Sequence, residues 1–191
     1  MDKDKRKKQA RILRVFRKVH RLTGALLFVF FFIIALTGLL LGWKKNSFGY
    51  LQAPTEKGIQ PGLQGWMPLD SLERIAVGML KSSEEQPLSP EIDRLDVRPE
   101  KGIVKVIFAN HYQSYQLDGR TGQVLRTETR LADLIEHIHD GTIVDRALKI
   151  PEGIFKLVYT TVMGLALILF TVTGFWLWYG PKRMRRDATA H

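Results

Sequence analysis

Two uncharged runs, Leu22 to Trp43 and Leu157 to Tyr179, interrupt an otherwise mixed pattern of polar and apolar residues. Each is long enough for a helix to cross a bilayer, which takes about 20 apolar residues. Ahead of the first run, Ile12, Val15, Phe16 and Val19 fall on one side of a helix. Arg11, Arg14, Lys18 and Arg21 fall on the other, a pattern suited to an anionic lipid surface. Met1 to Ala10 are polar and mostly basic and are expected to be irregular. Between the runs, Asn46 to Pro68 is rich in Gly, Pro and Gln and reads as an extended linker. Leu72, Ile75, Ala76 and Met79 then mark the apolar face of a helix that starts at an Asp70 or Ser71 cap and runs through Lys81. After Pro87 and Pro90 the period shortens to two. Ile92–Val97, Ile103–Phe108, Tyr112–Leu117 and Gln123–Thr127 read as strands, the second of them half buried. Gly and Asn turns between them imply an antiparallel sheet with the one preceding helix on one face. A last short helix spans Leu131 to His139, with Leu131, Leu134, Ile135 and Ile138 on its buried side.

Charge orients this frame. The formal net charge is +10, which invites a nucleic-acid reading until its distribution is seen. Residues 1–21 hold ten Lys/Arg against two Asp, and the tail from Gly180 holds four against one, while the segment between is nearly neutral. The excess therefore flanks the spans on one side, which is a topology signal, and nucleic acid is not expected as a partner. Membrane lipid is. Both termini are expected in the cytoplasm, with the central segment outside the cytoplasmic membrane. The first run ends Leu41-Gly42-Trp43-Lys44-Lys45 and is longer than the core of a signal peptide, so it is expected to stay as an anchor. The chain has no cysteine, which excludes disulfides, thiolate metal sites and covalent haem attachment.

Three histidines stand at the membrane boundaries. His20 shares a helix face with Phe16 and Gly24, so a flat cofactor has room against that glycine; equally, it is one more interfacial polar residue beside Lys18 and Arg21. His137 and His139 close the short helix before Gly141. His139 continues its apolar face, while His137 points away, toward Asp133 one turn earlier. Histidines there also suit the helix dipole without any ligand. His111 lies in an Asn110-His111 turn and is expected to be solvated. Gly38 and Gly42 form a Gly-x-x-x-Gly pair, expected to pack against the second span or a second copy. Trp43, Phe48, Tyr50 and Trp66 are read as interfacial anchors or small-core residues. No paired carboxylates, nucleophile elbow, His-Glu-x-x-His or nucleotide-binding glycine motif is present, which argues against hydrolysis and against a flavin or nicotinamide site.

Three stretches together carry a resemblance. They are Val19-His20-Arg21-Leu22-Thr23-Gly24 leading to Thr37-Gly38, Tyr115 to Leu125 around Asp118-Gly119-Arg120-Thr121-Gly122, and Ile138-His139-Asp140-Gly141 leading to Thr173-Gly174-Phe175-Trp176. In this order they resemble the PepSY-associated transmembrane family over roughly residues 15 to 185. The implied fold is membrane α+β, two transmembrane helices flanking a small extracytoplasmic PepSY-like domain. Its segments are a basic amphipathic start (1–21), helix one (22–43), a linker (44–66), the PepSY-like domain (67–130), a His-containing helix with membrane re-entry (131–156), helix two (157–179) and a basic tail (180–191). The resemblance implies a haem b redox role in the bacterial inner membrane. That role is ferric or siderophore-iron reduction on the periplasmic side, with His139 as the first choice of axial ligand, His20 as the second choice and His137 a further cofactor-binding candidate. A span separates His20 from His139 by about 30 Å or more, so one chain cannot use both on one haem; what remains is a homodimer pairing equivalent histidines, or one haem on each side with another sixth ligand. The implied partners are a membrane quinol or reductase as electron donor and a ferrous iron transporter. Two other readings stay open: a membrane-anchored PepSY module that docks a peptide or peptidase, and a transporter accessory subunit without chemistry. The sequence also echoes itself, since a histidine precedes each span and a Thr-Gly pair closes it. Inverted repeats of this kind build membrane sites between two halves.

Overall fold

The computed structural model describes residues 3–82 and 88–189, so residues 1–2, 83–87 (with Pro87) and 190–191 lie outside the described chain. Its elements are α1 (Lys3–Trp43), α2 (Leu69–Ser82), β1 (Ile92–Arg98), β2 (Ile103–Phe108), β3 (Gln113–Asp118), β4 (Val124–Thr129), α3 (Leu131–His139), α4 (Thr142–Leu148) and α5 (Ile154–Thr189). The chain forms two compact units, Met1–Leu39 with His137–His191, and Leu40–Glu136.

In the helical unit, α1 is continuous from Lys3, so most of the stretch expected to be irregular is helical. Its 41 residues extend about 60 Å, well beyond one bilayer thickness. The apolar windows of α1 and α5 are only 6% buried each, with Leu26, Phe28, Phe32, Leu165 and Ile168 among the exposed side chains. A core helix of a soluble protein hides such residues; these two present them outward, as helices surrounded by lipid do. α1 and α5 run antiparallel, as contacts descend from Phe16 against Trp176 to Phe30 against Tyr159. The connection into α5 holds a further helix that the sequence reading did not separate. α4 intervenes, and its buried Asp145 accepts the backbone N–H groups of Phe155 and Lys156 at 3.0 and 2.9 Å. Those are two of the donors that a helix N-terminus leaves without partners.

The sheet unit is an antiparallel meander in the order β1-β2-β3-β4. Alternation puts Val104, Val106, Phe108, Tyr115 and Leu117 on one face, where they bury against Leu72, Ala76 and Leu80 of α2. α2 begins at Leu69, before the expected cap, and Met79 lies outside its buried stripe. In the β3–β4 turn, Asp118 accepts from the backbone N–H groups of Arg120 and Thr121 and from the Thr121 hydroxyl. Gly122 is left-handed at φ 72°, and a Cβ on Gly119 would lie 2.5 Å from the Trp66 ring. Trp66 is thus a core residue, whereas Trp43, Phe48 and Tyr50 are exposed.

β2 differs from its expected half burial, because every residue of it is buried. The second face of the sheet is polar and is covered by the segment expected to be a free linker. Gln116 donates to the Pro54 carbonyl at 3.0 Å and accepts from Glu56 N–H at 2.9 Å, and Ile59 N–H reaches Asp118 at 2.6 Å. Beneath it, Glu128 accepts from Lys105 at 3.2 Å, from Ser114 at 3.2 Å and from Gln116 at 3.0 Å.

His111 is likewise not a solvated turn residue. Its ring stacks on Phe108 at 4.9 Å, Nδ1 accepts Gln113 N–H, and Nε2 therefore donates to the Ser89 carbonyl. Burial, partly offset by that carbonyl, holds its pKa below the ordinary histidine value. The unfolded chain then binds the proton more readily, so stability is full above about pH 6.5 and is lost as pH falls through and below it. Thermal unfolding followed by circular dichroism should show the melting temperature falling from pH 7.5 to 5, with a shallower fall in His111→Gln; parallel curves would show that His111 does not set this slope.

Candidate functional site

The helical unit brings together the two halves of the sequence echo. His139, in the last turn of α3, meets Thr37 of α1 with Nδ1 2.8 Å from Oγ1. His20 of α1 meets Thr173 of α5 with Nδ1 3.0 Å from Oγ1. Each histidine thus finds the Thr-Gly pair that closes the opposite span. The glycines provide the approach: a Cβ on Gly38 would lie 3.5 Å from His139 Cε1, and one on Gly174 would lie 3.3 Å from His20 Cε1.

The hydroxyl geometry determines the histidine tautomer. Thr37 donates its only proton to the Ile33 carbonyl at 2.6 Å, and Thr173 donates to the Leu169 carbonyl at 2.8 Å. Both threonines are nearly fully buried. With its proton committed one helical turn back, each hydroxyl oxygen faces the imidazole as an acceptor. Nδ1 therefore carries the hydrogen in both rings, and Nε2 keeps a lone pair. Hydrogen bonding through the remote nitrogen in this way fixes the orientation and raises the basicity of an imidazole that ligates through the other.

The surroundings of the two rings differ. His139 lines a groove of about 350 Å³ whose walls include Phe31, Ile34, Met163 and Leu167, together with Asp140 and Tyr159. Burial would raise the Asp140 pKa, but hydrogen bonds from Lys156 at 2.5 Å and from Thr142 N–H outweigh it and hold the carboxylate below its ordinary range. The acid stays ionised and its charge is matched beside the groove. His20 instead stacks on Phe170, with ring centroids 3.9 Å apart. The room expected over Gly24 is filled by the same Phe170, whose ring edge would lie 3.0 Å from a Cβ there. Phe170 also meets Phe31 at 5.7 Å, so an aromatic contact chain links His20 to a wall of the His139 groove.

Other residues singled out from sequence sit apart. His137 is half buried in the last turn of α3 and belongs to neither His-Thr pair. A Cβ on Gly42 would meet open space, and the neighbour of Gly38 is the His139 ring rather than a helix backbone. Thr37 and Thr173 were visible only as part of a repeated Thr-Gly pair, a signal that marks the pairing but not the role. Among the described residues, no three His, Cys, Asp or Glu gather as a metal-binding group. His20 and His139 stand in two separate His-Thr pairs. Thr37 lies 17 residues beyond His20 on α1, about 25 Å along its axis.

No curated protein and no solved structure matches the chain. The family model of the PepSY-associated TM region does match, over residues 2–183. With nearly the whole chain covered, and two lipid-suited helices flanking an antiparallel sheet, the protein is a membrane protein belonging to the PepSY-associated TM family.

Proposed function

We propose that the protein is a b-type haem redox protein of the bacterial inner membrane. It reduces ferric iron or ferric chelates on the periplasmic side in support of iron uptake, with both termini in the cytoplasm. The observation that carries this reading is the repeated His-Thr pair. Two imidazoles at two membrane levels each have Nδ1–H engaged by a buried threonine and Nε2 left with its lone pair. That donor suits haem iron, and it needs no cysteine. The mostly apolar groove beside His139 suits a porphyrin face, and the paired Asp140 and Lys156 add no unbalanced charge to it.

His139 would hold haem on the outer side and His20 on the cytoplasmic side. When bound, haem supplies one-electron transfer between donor and ferric substrate. The residues of this chain hold and tune it: Thr37 and Thr173 keep the rings in one tautomer and orientation, and the apolar walls limit water. Because His20 and His139 stand at different levels of one chain, a homodimer pairing equivalent histidines would complete two-histidine ligation. The reducing equivalents come from a membrane quinol or a partner reductase, one electron for each ferric ion reduced. A ferrous iron transporter would take up the product.

The test is the absorption spectrum of the detergent-purified protein before and after dithionite, with haem counted per chain. A Soret band that shifts on reduction, with sharp α and β bands, is the expected result. A colourless protein after expression with added haem would remove the redox reading.

A further inference from the structure

We propose that a cavity in the sheet unit binds a small organic carboxylate. The cavity, about 150 Å³, lies where the covering segment leaves part of the polar sheet face open between β1, β2 and the start of α3. Alternation along β1 turns Arg94, Asp96 and Arg98 to this one face, and the register sets Asp96 opposite Lys105. The lining carries five cations and three carboxylates.

Internal pairing accounts for only part of that charge. Arg98 holds Asp96 at 2.7 Å, Lys105 holds Glu128 at 3.2 Å, and Arg130 is paired with Asp133. Every carboxylate of the lining is thereby used, and two cations remain. Lys44 has no ion pair among the described residues, and the partner of Arg94 is its neighbour Asp93, which is not part of the lining. Arg130 adds a donor. Its side chain is only 10% exposed and its other nitrogens are engaged by Asp133 and by the Phe108 and His111 carbonyls, but Nε is buried without a partner.

A lining with more cations than carboxylates and an unmet N–H asks for an anion that accepts hydrogen bonds. Arginine forks match the planar carboxylate group. Leu51, Ala53, Ile107 and Ala132 supply apolar wall, which suits a carbon skeleton better than a compact inorganic anion. The existing carboxylates also disfavour the denser charge of phosphate. This site is independent of haem, and its test can fail without touching the redox reading.

The experiment titrates succinate into the full chain in detergent by calorimetry, with inorganic phosphate as the comparison. Succinate should bind once per chain. Lys44→Gln and Arg94→Gln should each weaken it by roughly tenfold, the loss expected for one charge-assisted hydrogen bond. Because neither side chain supports a buried partner, the melting temperature without ligand should not change. Absence of saturable succinate binding, or an affinity in both variants unchanged from the parent protein, overturns the proposal, and so does phosphate displacing succinate at equal concentration.

Discussion

His139→Ala should remove haem from the outer level and lower ferric reduction by at least about a hundredfold, since even loss of a partner to a ligating histidine costs 10- to 100-fold. His20 is untouched by that change, so haem per chain should fall by about half. The variant that separates ligand from scaffold is Thr37→Val. It keeps the shape of the side chain but removes the acceptor 2.8 Å from His139 Nδ1. The imidazole then loses its reason to keep the proton on Nδ1, and haem affinity should drop by roughly 10- to 100-fold with a shift in midpoint potential. Thr37→Ser, which restores the hydroxyl, should recover both. If His139→Ala kept its full haem content and activity, His139 would have no part in the mechanism.

The second large effect is on stability. Glu128→Ala should destabilise the sheet unit by about 3–5 kcal/mol, because it leaves a buried ammonium without its counter-charge. Lys105 and Glu128 side chains are each only 9% exposed, and the same carboxylate also receives Ser114 and Gln116. Replacing the pair together, Lys105→Met with Glu128→Leu, should return most of the loss, since the desolvation of two charges is then avoided. Denaturant unfolding of the parent, Glu128→Ala and the double variant compares the two losses. A single-variant loss below about 1 kcal/mol would match an exposed pair instead and show that water reaches the network.

The places of these elements were legible from the sequence. Ile103–Phe108 and Leu131–His139 fall where β-branched content and helical spacing put them, although the burial of both faces of the strand was not foreseen. The covering segment was not legible. Gly, Pro and Gln reveal that residues 46–68 form no regular element, but the bonds from Pro54, Glu56 and Ile59 to the sheet depend on partners about 60 residues away. α4 was missed because seven residues are too few to show a period. Within α3 the buried position is Ala132, while Leu131 is exposed. For the site, the histidines and the repeated Thr-Gly pairs were visible. That each histidine meets the other span's threonine was not, since the partners are 102 and 153 residues apart.

This crossed pairing constrains how the protein is made. Thr37 and His20 are both synthesised with the first helix, yet His20 needs Thr173 and Thr37 needs His139. A nascent chain that has inserted only α1 holds neither complete pair. His139 can meet Thr37 once the residues after the sheet have emerged, whereas His20 must wait for more than half of α5. The two His-Thr pairs are therefore completed in a fixed order as the chain is made, that of His139 first and that of His20 only when the chain is almost finished.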